Sequence, residues 1–101
     1  MKINHSAAAG TLESSDAQVI IEPGGNGGIE LDLSSSVIQQ YGRQIRAVVL
    51  STLEKLDVRD CRITVNDHGA LECTLKARVQ TAVFRATDKT VDYPWEELIH
   101  E

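Results

Sequence analysis

The 101-residue chain is poor in the groups from which most protein sites are built. It has two cysteines, Cys61 and Cys73, too few for a disulfide framework or, by themselves, a zinc site. Four aromatic side chains leave no base-stacking platform. Ten bases against fifteen acids, a net charge of −5, argue against the basic face that nucleic acid requires. No apolar run approaches the ~18 residues of a membrane-spanning helix, and Met1-Lys2-Ile3-Asn4 has no apolar signal core behind its one charge. The expectation is a cytoplasmic protein with no nucleic-acid or membrane partner.

What is present suffices for a folded body. Ile, Leu, Val and Phe total 27 residues, and a chain of this size can bury roughly 65% of its surface. The charge is uneven: residues 1–40 sum to −4, residues 41–90 to +3 and residues 91–101 to −4. One domain is expected, with an irregular, mobile arm over residues 1–16, a body over 17–87 and an irregular tail over 88–101.

Within the body, Val19-Ile20-Ile21 and the alternating Ile29, Leu31 and Leu33 predict two strands of a hairpin around the Gly-rich turn Pro23–Gly28. Ser36 and Gln39 have capping-box spacing. From there Val37, Tyr41, Ile45, Val48, Val49, Thr52, Leu53 and Leu56 form a helical stripe to about Asp57. Cys61, Ile63 and Val65 alternate as a third strand, and Asn66-Asp67-His68-Gly69 is turn chemistry. Leu71, Cys73 and Leu75 alternate as a fourth strand, running into a helical pattern at Leu75, Val79, Ala82, Val83 and Ala86. The order is ββαββα, a two-layer α+β domain with an antiparallel sheet and helices on one face.

Little here can do chemistry. Both cysteines fall on the apolar phase of predicted strands, where a thiol packs as a small hydrophobe. His5, His68 and His100 lie in the arm, a turn and the tail, without ligand spacing. No two carboxylates stand out as an acid/base pair, and the Gly-rich turn lacks the Gly-Lys-Ser/Thr ending of a phosphate loop. Arg43 and Arg46 lie off the stripe, as solvated helix charge or as docking residues. Trp95, beside Pro94, reads equally as a partner anchor or as a lid on the core. Thr11-Leu12-Glu13-Ser14-Ser15-Asp16 sets two serines among acids, with neither base nor oxyanion site to make a nucleophile. Such a segment suits modification by another enzyme, and reads still more simply as a polar linker.

The sequence resembles the acyl carrier protein (gamma subunit) family of citrate lyase. The resemblance rests on Met1-Lys2-Ile3-Asn4, Ala9-Gly10-Thr11-Leu12-Glu13-Ser14 with Asp16, Ser35-Ser36-Val37, Val58-Arg59, Val65-Asn66-Asp67, Gly69-Ala70-Leu71, Ala77-Arg78 and Pro94-Trp95-Glu96. It implies that Ser14 carries, by phosphodiester, a phosphoribosyl-dephospho-coenzyme A group derived from 2'-(5''-triphosphoribosyl)-3'-dephospho-CoA. It further implies acetyl and citryl thioesters on that group and a non-catalytic carrier role beside an alpha (acyltransferase) and a beta (lyase) subunit. A prosthetic-group transferase and an acetylating ligase are implied as further partners. One position departs from the family pattern: Ser15 follows Ser14 where better-known members have Gly. The alternatives are the carrier subunit of malonate decarboxylase, with the same group, and a non-catalytic α+β interaction module.

Overall fold

In a computed structural model, which describes residues 2–24, 27–35 and 38–87, the chain forms four strands and two helices. These are β1 (Ala7–Gly10), β2 (Ala17–Glu22), β3 (Ile29–Ser35), α1 (Ile38–Lys55), β4 (Cys61–Asp67) and α2 (Glu72–Ala86). The strands make one sheet in the order β1-β2-β4-β3. Period-2 alternation decides its faces: Ala17, Val19 and Ile21 of β2 and Cys61, Ile63 and Val65 of β4 are buried. The register aligns Ile21 with Ile63 and Val19 with Val65, and Leu31 and Leu33 of β3 with the same two β4 residues. The result is one continuous apolar surface.

Both helices cover that surface and pack against each other, α2 on β1 and β2, and α1 on β3. Ile45, Val49 and Leu53 face the core from α1, and Leu75, Val79, Ala82, Val83 and Ala86 from α2. Each fully buried Val, Ile or Leu contributes about 1.5–3 kcal/mol relative to exposure. The other face of the sheet carries Gln18, Glu30, Asp32 and Arg62, with Arg62 Nε donating to Glu30 at 3.2 Å.

The α+β class, three of the four strands, the two helices and the single covered face agree with the sequence reading. Its internal order does not: the sheet is mixed and the order is βββαβα. β2 and β3 are not a hairpin, because β4 lies between them, antiparallel to β2 and parallel to β3. β2 and β3 therefore lie two strand spacings apart, roughly 10 Å. α1 makes the long crossover that a parallel pair requires. The fourth strand expected at 71–75 is absent because that stretch opens α2. The helical stripe buries five side chains, whereas alternation would have placed Leu71 and Cys73 inside, and both are exposed. Cys61 does pack in the core, its thiol pushed up to about 11 by burial and then by the neighbouring Asp60 charge. The fourth strand is instead Ala7–Gly10, inside the segment read as an irregular arm. The Ser36 cap, Trp95, His100 and the 88–101 tail lie outside the described residues.

α1 ends at Lys55 with Leu56 as its C-cap, Val58 N–H donating to Leu53 O at 3.0 Å and Asp57 N–H to Glu54 O at 3.0 Å. That is a Schellman closure whose left-handed position, usually glycine, is Asp57 at φ 56°. The Asp57–Arg59 pair is solvent-exposed and contributes little. Asp57→Gly should therefore stabilise the fold by about 0.5–1 kcal/mol, read as a higher thermal midpoint; an unchanged or lower midpoint would contradict this assignment.

Candidate functional site

Thr11–Asp16 is the tip of the β1–β2 hairpin, and its geometry begins at Gly10. Gly10 has φ +87°, and a Cβ there would collide with the Ala17 carbonyl and lie 3.0 Å from Arg78 Cδ. The chain can thus leave β1 in this direction only with glycine. Asp16 N–H donates to Glu13 O at 3.2 Å, closing a turn with Ser14 and Ser15 at its two central positions. Ser15 has φ 65°, as the third residue of a type II turn does, a position that favours glycine. This is the physical meaning of the one departure from the family pattern. Ser14 occupies the preceding corner, exposed.

One carboxylate gathers the loop. Asp16 accepts from Arg78 Nε at 2.9 Å and Nη2 at 3.1 Å, from Thr11 Oγ1 at 2.7 Å and from Ala17 N–H at 2.7 Å. Thr11 Oγ1 in turn accepts from Glu13 N–H at 3.2 Å. The Asp16 side chain is 13% exposed and that of Arg78 37%, so the pair is sheltered from water on the carboxylate side. The bidentate guanidinium, then Thr11 and the Ala17 amide, hold the Asp16 carboxyl far below the usual carboxylate range. The same bond raises Arg78.

Two backbone bonds continue the pairing beyond β2 and β4. Ser15 N–H donates to His68 O at 2.8 Å, and His68 N–H to Asp16 O at 2.9 Å. Upstream, Ile3 is buried, and the Asn4 and His5 amides both donate to Ala86 O. Arg85 Nη1 donates to Ala8 O at 2.8 Å on the sheet edge. The segment expected to be irregular is a hairpin fastened to α2 at its base and its tip.

Ser14 is therefore presented on folded chain. No imidazole or carboxylate among the described residues hydrogen-bonds its hydroxyl, so none of them activates it as a nucleophile. No cluster of His, Cys, Asp and Glu able to hold a metal exists among the described residues, and none of their helices is long and apolar enough to cross a membrane. Asp16 is neutralised by Arg78, which leaves Glu13 as the exposed acid of the tip. The acidic character expected around Ser14 is smaller than the sequence suggests.

The role of Arg78 was not drawn from the sequence, yet a signal exists: it lies three residues after Leu75 and four before Ala82, a cation on an apolar stripe, which requires a buried partner. Asp67 is similar, a buried residue on the core face of β4. It accepts from Ser35 Oγ at 2.8 Å and from the Gly69 and Ala70 amides at 3.2 and 3.0 Å, and so shapes the loop against which the hairpin rests.

Residues 4–86 match the profile of the family described as malonate decarboxylase delta subunit. The chain is 57% identical over 98 residues to the citrate lyase acyl carrier protein of Vibrio cholerae, covering 97% of this chain and 99% of that one. It is 50% identical over 99 residues to the citrate lyase acyl carrier protein of Lacticaseibacillus casei, covering 97% and 95%. Its fold is similar to a chain in the crystal structure of a Pseudomonas malonate decarboxylase hetero-tetramer in complex with malonate, with a TM-score of 0.70 at 19% identity, covering 84% of this chain and 87% of that chain.

An unpaired aspartate titrates near ~3.9. With the folded value depressed, the stability that the Asp16 bonds add is complete above about pH 4 and is lost as the pH falls through the lower folded value. The Asp16 carboxyl carbon should show no titration midpoint between pH 7 and about 3 in NMR spectra, and Arg78→Ala should restore one towards ~3.9. A wild-type midpoint near 4 would contradict the pairing.

Proposed function

The chain belongs to the family of acyl carrier proteins that serve citrate lyase, and from that membership we propose that Ser14 is the residue on which it carries its acyl group. The observation that carries this reading is the exposed Ser14 hydroxyl at the corner of a fastened turn. A second enzyme can approach such a hydroxyl without unfolding the carrier, and the substrate loop needs little ordering when it binds. Glycine-permissive geometry at Ser15, the Asp16–Arg78 clasp and the His68 backbone bonds are what hold the corner outward.

The prosthetic group proposed is a phosphoribosyl-dephospho-coenzyme A joined to Ser14 Oγ by a phosphodiester. The residues fit it: the hydroxyl makes no hydrogen bond to a described residue, and the corner is open. When bound, the group supplies a terminal thiol that holds acetyl or citryl as a thioester and makes the acyl carbon easier to deprotonate. The protein's own residues then orient and present. Asp16, with its charge taken up by Arg78, keeps the tip in one conformation. Exposed Leu12 and Glu13 give partner enzymes an apolar and an anionic contact beside the attachment point. In this reading cleavage falls to the alpha and beta subunits, and this chain serves their complex as a non-catalytic carrier. Tethering turns each later encounter into an intramolecular one, with effective concentrations of about millimolar for short flexible links.

The runner-up, a malonate decarboxylase carrier, is favoured by the description of the matching family profile and by the fold likeness. The 50–57% identity to citrate lyase carriers supports citrate. Reconstitution with both sets of partner subunits separates the two.

With a prosthetic-group transferase and its donor, intact mass and peptide mapping should place one adduct on the peptide containing Ser14. Ser14→Ala should keep the wild-type thermal midpoint and gain no mass, while Ser15→Ala should still load. An adduct on Ser15, or none on wild type, would overturn the assignment.

A further inference from the structure

Three large apolar side chains are exposed among the described residues: Leu12 at 57%, Tyr41 at 45% and Leu71 at 70%. Leu12 is on the hairpin tip. Tyr41 and Leu71 lie on opposite sides of an open groove of about 330 Å³ between α1 and the β4–α2 loop. Ile45, Val48 and Leu75 complete its apolar lining, and Gln44 stands at its edge. The volume is at the low end of the ~300–1,000 Å³ of small-molecule sites.

The groove and the tip share a wall. Asp67 and Gly69 line the groove, and His68 between them makes both backbone bonds to the tip, with Ser15 and Asp16. With neighbouring Cα atoms ~3.8 Å apart, the path from Ser14 through Ser15 and His68 to Gly69 is on the order of 13 Å. α2 also begins at this wall, and its N-cap, Leu71, supplies no side-chain hydrogen bond. The first amides of the helix are thus open donors at the groove rim. Apolar walls, the Gln44 amide at one edge and, at the other, backbone donors beside the Asp67 and Glu72 carboxylates match a thin chain of methylenes and amides whose end carries no negative charge.

We propose that this groove is an intramolecular resting site for the pantetheine end of the group on Ser14, in its thiol or acetyl form. The inference rests on Ser14 being the attachment point. Occupation covers Tyr41 and Leu71, shelters the thiol or its ester from solvent, and leaves the site free to empty when a partner enzyme binds the end of the arm more tightly.

The test compares nitrogen-15 NMR spectra of the full-length apo protein and the protein loaded with the acetylated group. In a Cys73→Ser background, which removes the exposed competing thiol, the thiol form is also reacted with an aromatic disulfide. Loading should shift the amides of Gln44, Gly69, Ala70 and Leu71 as well as those of residues 11–16. Thiol reactivity falls with the unsheltered fraction, so a half-occupied groove slows it about twofold. Ala70→Leu, which fills the groove, and Leu71→Ser, which strips its exposed wall, should each confine the shifts to residues 11–16 and restore full reactivity. Shifts confined to residues 11–16 in the wild type, with an unslowed thiol, would overturn the resting site while leaving Ser14 as carrier. A wild-type chain that gains no mass would instead overturn the Ser14 reading. Movement of the groove amides by Trp95→Ala in the apo protein would show the groove occupied by the chain's own C-terminal segment, and would also overturn the proposal.

Discussion

The bidentate bond between Asp16 and Arg78 joins residues 62 positions apart, and the presentation of Ser14 depends on it. Asp16 alone links the start of the loop through Thr11, its end through the Ala17 amide, and the body through α2. A bare six-residue hairpin loop has many conformations, and ordering each residue costs about 1–2 kcal/mol of backbone entropy. Sheltering the carboxylate makes its hydrogen bonds stronger than those of a surface pair. The bond therefore converts a flexible loop into a fixed turn whose corner residue is a serine.

A carrier must bring its acyl group to more than one active site. If the polypeptide near the attachment point swung freely, the modifying enzyme and each catalytic partner would have to order it at every encounter, at a cost to affinity. With the group on Ser14, as proposed, a fastened hairpin would place the flexibility in the prosthetic group and leave Leu12, Glu13 and the turn as a constant surface. Neutralising Asp16 within the protein also leaves Glu13 as the exposed acid of the tip.

Much of the body was legible in the sequence because burial imposes periods. Val19 and Ile21, Ile63 and Val65, and the Ile45–Val49–Leu53 and Leu75–Val79–Ala82 stripes all fell where alternation or helical spacing put them. The errors arose where local pattern and tertiary context disagree. Ala7-Ala8-Ala9-Gly10 has no strand propensity of its own, and becomes β1 because β2 offers a free edge and Arg85 takes the Ala8 carbonyl. Leu71, Cys73 and Leu75 alternate, but only Leu75 is buried, so the helical stripe prevails. The pairing partner of β3 could not follow from its own residues, because the choice between a hairpin and a crossover is made by where β4 inserts. At the proposed site, Ser14 was singled out through resemblance alone. Its support by Gly10, Arg78 and the His68 backbone comes from contacts between distant segments, and only the cation on the α2 stripe left a trace in the sequence.

Fixed presentation of Ser14 is the claim on which the rest turns, and backbone relaxation of the full-length apo protein reads it directly. A fastened turn requires nitrogen-15 order parameters for residues 12–16 close to the ~0.85 of rigid backbone, level with β2 and β4, whereas values below ~0.6 at Ser14 and Ser15 would show a mobile arm and contradict it.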